Sequence, residues 1–122
     1  MTNVYGLAVT LQCCLPLLRE SRGHALMTGS VAGRVTIAGS MYSATKWAVT
    51  SIGQALREEV RGSGIRVTLI QPGVVDTPFF DNLPPGGALE PDDIARAVVY
   101  ALQQPPGVDV NELLIRPTPP LE

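Results

Sequence analysis

The sequence predicts an α/β protein of about three helices and three strands, and three observations carry that reading. Apolar residues recur at three- and four-residue steps in three long segments, and short apolar or β-branched runs lie between them. The order is helix, strand, helix, strand, helix, strand, and strands separated by whole helices pair in parallel through right-handed crossovers. The composition suits one such domain: 122 residues, 45% hydrophobic and 16% charged, provide a core and argue against disorder.

Each element has its own signal. Val4, Leu7, Ala8, Leu11, Cys14, Leu15 and Leu18 mark a helix over about residues 3–19. Pro16 is expected to bend or weaken its last turn. His24-Ala25-Leu26-Met27-Thr28, bounded by glycines, reads as a buried strand. A loop rich in Gly and Ser follows, from Gly29 to about Ser40. A second helix is expected over about residues 41–61, with Val49, Ile52, Leu56 and Val60 on its apolar stripe and Arg57, Glu58, Glu59 and Arg61 toward water. Gly62-Ser63-Gly64 ends it. Ile65 to Ile70 is β-branched and reads as a strand that Pro72-Gly73 breaks. Residues 78–90 hold Pro78, Pro84, Pro85, Gly86 and Gly87, the composition of a loop. Pro91-Asp92-Asp93 opens a third helix with Ile94, Ala97, Val98 and Ala101 on one side. Pro105-Pro106-Gly107 stops it, and Glu112 to Ile115 forms the last strand.

Bulk properties narrow the function. A net charge of −2 points to neither nucleic acid nor an anionic membrane surface. No apolar run approaches the ~20 residues of a membrane span. Met1-Thr2-Asn3-Val4-Tyr5 lacks the basic start of a signal peptide. Cys13 and Cys14 are adjacent, which suits neither a disulfide framework nor a zinc site. They read as small core residues in a reducing, cytoplasmic setting.

The only lysine of the chain follows a tyrosine by four: Tyr42-Ser43-Ala44-Thr45-Lys46. On a helix these two share a face. An ammonium beside a phenol favours the phenolate, and an ordinary phenol titrates near pH ~10, too high for acid-base work at neutral pH. With three tyrosines, a randomly placed lysine has this spacing in about 3 of 122 positions, so the pair is suggestive without being decisive. Its surroundings add weight. Ligands of parallel α/β sheets bind beyond the carboxyl ends of the strands. Ser30 lies just past the first strand, and Gly73 to Thr77 just past the second.

Gly29-Ser30-Val31-Ala32-Gly33, Tyr42-Ser43-Ala44-Thr45-Lys46 and Pro72-Gly73-Val74-Val75-Asp76-Thr77-Pro78 together resemble the second half of a short-chain dehydrogenase/reductase. Asn3-Val4-Tyr5-Gly6 resembles the start of that family's fifth helix. Val110-Asn111-Glu112 and Arg116-Pro117-Thr118 resemble the surroundings of its last strand. The resemblance implies the C-terminal part of a Rossmann-like doubly wound parallel sheet. It also implies hydride transfer between an alcohol or ketone and NAD or NADP, the choice between the two not being readable.

The resemblance assigns roles. Tyr42 is the general acid in carbonyl reduction and the base in alcohol oxidation. Lys46 favours its phenolate and holds the nicotinamide ribose. Ser30 hydrogen-bonds the substrate oxygen, and Asn3 holds a water relay to the lysine. Pro72, Gly73 and Val75 approach the nicotinamide through the backbone, and Thr77 bonds its carboxamide or a phosphate. Each residue also has a plainer reading: Ser30 as a turn residue, with Ser40 a substitute for it, and Thr77 and Asn3 as helix N-caps. His24 reads as a strand residue with no catalytic part. Phe79 and Phe80 line a substrate pocket or merely pack in the loop.

The family's glycine-rich phosphate turn and the residue that selects NAD or NADP have no counterpart in the 122 residues. The expected content is therefore the fifth to seventh strands. The first of them becomes an open edge, and cofactor binding by the chain alone is poor. The resemblance also implies a homo-oligomer through the helices at about 3–19 and 41–61. The competing reading is a non-catalytic α/β module kept for association. A serine hydrolase built on Ser30 lacks the Gly-x-Ser-x-Gly elbow, and the single histidine, His24, lies on a strand.

Overall fold

A computed structural model describes residues 2–35, 38, 39, 41–78, 82, 83 and 86–119, without the side chains of Thr2 and Asn3. A π-helical turn, Thr2–Gly6, leads into α1, Leu7–Ser21. Strand β1, His24–Thr28, is followed by a single 3₁₀ turn, Val31–Gly33. Helix α2 is Met41–Glu59, β2 is Arg66–Pro72, α3 is Pro91–Leu102 and β3 is Glu112–Ile115. The three strands form one parallel sheet in the order β1-β2-β3, with Ala25 opposite Val67, Met27 opposite Leu69 and Ile70 opposite Leu113. This is the expected α/β architecture. Among the described residues β1 has β2 as its one strand neighbour and is an edge.

The sheet is covered on both faces. Odd residues of β2 meet the helix pair: Val67 and Leu69 join Ala25, Met27, Val49, Leu56, Val60 and Ile65 in a buried core, with Leu7, Leu11, Leu15 and Leu18 of α1 packed against it. Even residues face α3, where Arg66 Nη1 donates to the Gln104 carbonyl at 2.8 Å. Thr68 and Ile70 are wholly buried there, and Ala101 of α3 is buried too. Helix α3 starts as its sequence demands. Pro91 occupies its first turn, the Glu90 backbone N–H donates to Asp93 Oδ2 at 2.8 Å, and Arg96 pairs with both Asp92 and Asp93.

Several boundaries differ from the expected ones, each for a physical reason. Helix α1 runs through Pro16 to Ser21, because Leu15 and Leu18 anchor the last turns on the core. Arg22 then closes it in the left-handed region at φ 53°. Helix α2 stops at Glu59, and residues 60–64 form turns instead. Strand β2 does not break at Pro72 but includes it. Its even residues bond toward β1, as Arg66 N–H to Gly23 O and Gly29 N–H to Ile70 O show. The donor that Pro72 lacks therefore faces past the end of β1, where no ladder bond is lost. Cys13 and Cys14 are exposed and are not core residues. The face of α1 that meets the core is the leucine row, and Cys14 lies beside it, turned outward.

Candidate active site

Ser30 leaves β1 in extended conformation and caps the 3₁₀ turn, its Oγ accepting the Ala32 N–H at 3.1 Å. That turn lies flat on α2. Ser43 Oγ sits 2.8 Å from the carbonyls of both Ala32 and Val35, so its single proton serves two acceptors. Thr50 Oγ1 donates to Gly33 O at 3.1 Å, and the Trp47 indole N–H donates to Val35 O at 3.2 Å. Gly33 permits the approach: a Cβ there would lie 2.6 Å from both Lys46 O and Thr50 Oγ1. Arg34 stacks over Trp47 at 5.9 Å from the ring centroid and reaches Glu112 at 3.8 Å, tying the turn to β3 as well.

Tyr42 stands in the first turn of α2 and is 47% exposed. Lys46 follows one turn later, its Nζ 5.5 Å from the Tyr42 ring centroid, so the expected shared face is present. The opposite wall comes from the exit of β2. The Gly73 N–H donates to Ile115 O at 2.7 Å, which carries the sheet one residue beyond Pro72. Val75 forms an isolated parallel bridge with Leu89, through Asp76 N–H to Leu89 O and Leu89 N–H to Val74 O, both 2.8 Å.

Between these walls lies a cavity of about 480 Å³, lined by Gly29, Ser30, Val31, Ala32, Tyr42, Pro72, Gly73, Val74, Val75 and Thr77. Six expected site residues thus border one space at the carboxyl ends of β1 and β2: Ser30, Tyr42, Pro72, Gly73, Val75 and Thr77. Lys46 is not a lining residue; it stands behind Tyr42. The side chain of Asn3 lies outside the described residues, although its turn packs against α2. Ser40, Phe79 and Phe80 also lie outside them. A further concavity of about 420 Å³ lies at least two helical turns past Tyr42 and contains Gln54, Arg57, Glu58 and Glu112. Its polar groups are largely engaged with one another, as in Gln54 Nε2 to Glu112 Oε1 at 3.2 Å.

His24 opens β1, at the end of the strand away from Ser30, which agrees with a non-catalytic strand residue. Thr68 Oγ1 donates to Val110 O at 2.6 Å, so it accepts from His24 Nε2 at 2.6 Å. That leaves Nδ1 buried without a hydrogen-bond partner. Burial lowers the His24 pKa, Arg66 lowers it further, and Asp109 opposes both. Among the described residues no group of His, Cys, Asp or Glu could hold a metal ion, and no helix is long and apolar enough to cross a membrane. Sequence reasoning missed Ser43, Trp47, Thr50 and Gln71. The available signal was the placement of Ser43 and Thr50, both polar, on the buried face of α2.

Residues 1–86 match the family described as short chain dehydrogenase. A relative from Staphylococcus saprophyticus, named as an uncharacterized oxidoreductase, is 45% identical over 119 residues, covering 94% of this chain and 51% of its own. Serine dehydrogenase from Escherichia coli is 34% identical with a TM-score of 0.79, over 93% of this chain and 49% of that one. An alcohol dehydrogenase from the archaeon Thermococcus sibiricus, solved with 5-hydroxy-NADP, is also 34% identical, with a TM-score of 0.78 over 93% and 49%. The chain thus spans about half the length of the relatives it matches.

Proposed function

Because the chain belongs to the short-chain dehydrogenase family, we propose that it supplies the proton-transfer centre of an NAD(P)-dependent oxidoreductase acting on a small alcohol or ketone. The observation that carries this reading is the convergence of Ser30, Tyr42 and the Pro72-to-Thr77 arm on one cavity, with Lys46 behind the tyrosine. In carbonyl reduction the Tyr42 hydroxyl gives its proton to the substrate oxygen, and in alcohol oxidation the phenolate takes it back. The Lys46 ammonium stabilises that phenolate electrostatically. Ser30 donates a hydrogen bond where negative charge develops on the substrate oxygen, a task for a donor already in place. Asn3, at the start of the turn that packs on α2, is assigned to the water relay toward Lys46.

The cavity suits a nicotinamide ring beside a small carbonyl compound: its walls of Val31, Ala32, Pro72, Val74 and Val75 are apolar, and about 480 Å³ is ordinary for a small-molecule site. A bound nicotinamide supplies or accepts the hydride. Pro72, Gly73, Val75 and Thr77 line this cavity; the first three are assigned to the nicotinamide through their backbone, and Thr77 to its carboxamide or a phosphate. The structural relative solved with 5-hydroxy-NADP supports a cofactor of this class, NAD or NADP. We assign residues 1–122 to the catalytic half of the fold, in line with their spanning about half the length of the relatives they match. A cytoplasmic setting is part of the same reading.

The test is consumption of NADH and NADPH with a panel of ketones, by the 122-residue chain alone and by a chimera that joins it behind the amino-terminal half of the Escherichia coli relative. The expected result is turnover in the chimera and none of consequence in the chain alone. A folded chimera without turnover would sink the assignment. The alternative, an association module, is favoured by one observation: Tyr5, Val9 and Leu17 of the first helical segment are exposed at four- and eight-residue steps, an apolar stripe suited to a second copy. A dimer with no turnover in the chimera would favour it, whereas a dimer with turnover is the oligomer expected of the enzyme.

A further inference from the structure

We propose that Thr50 and Gln71 are positioning residues, a buried hydrogen-bonded junction that holds the turn after Ser30, helix α2 and the exit of β2 in register. The proposal rests on the reading of those elements as one reaction centre. Thr50 and Gln71 are 2% and 0% exposed, and neither lines the cavity. The Gln71 amide Nε2 donates to Thr50 Oγ1 at 3.3 Å. The Thr50 proton has two acceptors within reach, Gly33 O at 3.1 Å and Lys46 O at 3.2 Å. Lys46 O already accepts a backbone bond four residues along the helix, so the hydroxyl is of most use to Gly33 O.

Each end of the junction belongs to a different element. Gly33 is the last residue of the turn that Ser30 caps. Thr50 lies one turn past Lys46 and two past Tyr42 on α2. Gln71 is the residue before Pro72, where the second wall begins. The Gln71 side chain also passes beneath Gly29, whose added Cβ would meet Gln71 Cγ at 3.6 Å. A space-filling role alone would be met by Met or Leu, without leaving Gln71 Oε1 buried and lacking a hydrogen-bond partner. The amide is explained by the bond it gives to Thr50.

The test compares Thr50→Val, which keeps shape and removes the hydroxyl, with Thr50→Ser, which keeps the hydroxyl, and with Gln71→Met. Amide hydrogen exchange is read at Ala32 and Gly33, whose N–H groups bond to Ser30, and at Val67 and Leu69 of β2 as the reference. Thr50→Val and Gln71→Met are expected to speed exchange in the turn about tenfold relative to β2, the scale of one lost buried hydrogen bond, with Thr50→Ser near wild type. Unchanged exchange in the turn, or equal acceleration everywhere, would overturn the proposal. These readouts need no cofactor, so their failure is separate from failure of the oxidoreductase reading. In the chimera, Thr50→Val should lower kcat while leaving KM nearly unchanged, and Thr50→Ser should restore it. A change confined to KM would also overturn the proposal.

Discussion

The two walls of the site are held by different means. The turn after Ser30 is fastened to α2 by side chains: Ser43 to Ala32 and Val35, Trp47 to Val35, and Thr50 to Gly33. The arm after Pro72 is fastened by backbone, through Gly73 to Ile115 and the pairing of Val74 and Asp76 with Leu89. A wall pinned to α2 by side chains at the Ala32, Gly33 and Val35 carbonyls presents its donor in one geometry. A wall tied at its two ends leaves the sequence between them open to variation. On the proposed reading the difference suits the tasks: proton transfer needs fixed distances set by side chains, and a cofactor held through backbone groups depends on the course of the chain.

The largest expected break in this comparison comes from a glycine on each wall. Gly33→Ala places a Cβ 2.6 Å from the Lys46 carbonyl, a backbone atom that cannot move away without distorting α2. It should cost about 3 kcal/mol, read as a drop in the denaturation midpoint. Gly73→Ala meets Arg116 Cγ and Pro117 Cδ at 3.3 Å, and the arginine stem can shift. A cost of about 1 kcal/mol or less is expected, and equal costs at the two positions would contradict the contrast between the walls.

Ser43→Ala ranks next. It removes the proton shared by Ala32 O and Val35 O and should cost about 1–2 kcal/mol, with exchange speeding in the turn before it does so in the sheet.

How much of this was legible in the sequence follows from which contacts are local. Strand β1 falls where its apolar run and flanking glycines placed it, and β3 where the Glu112-to-Ile115 run placed it, because strand identity is a property of the run itself. Ser30, Tyr42 and the Pro72-to-Thr77 arm were legible as motifs, and they do border one cavity. The 3₁₀ turn at Val31–Gly33 was not, because the bonds that fasten it to α2 come from Ser43 and Thr50, far along the chain. Pro72 in β2 was missed because the cost of a proline depends on which neighbour its missing donor faces. Cys14 satisfied the apolar spacing, yet only the leucine row of α1 meets the core.

The smallest expected effect is electrostatic and lies away from both walls. The His24 pKa is lowered in the folded chain, so at pH above its usual value of 6.5 the ring is neutral in both states and adds no pH dependence. Below 6.5 the unfolded chain takes up a proton that the folded chain resists, and stability falls until the folded-state value is passed. His24→Gln should flatten the change in urea midpoint between pH 7.5 and 5.5. An unaltered slope would show that the pH dependence arises elsewhere.

The account stands most directly on Tyr42. In the chimera, Tyr42→Phe keeps the ring that faces Lys46 and removes the proton that is transferred. The thermal midpoint should be unchanged, while kcat falls about 10²–10⁴-fold, the range of a lost general acid. Retention of wild-type kcat by a folded Tyr42→Phe chimera would contradict the assignment of the proton-transfer centre.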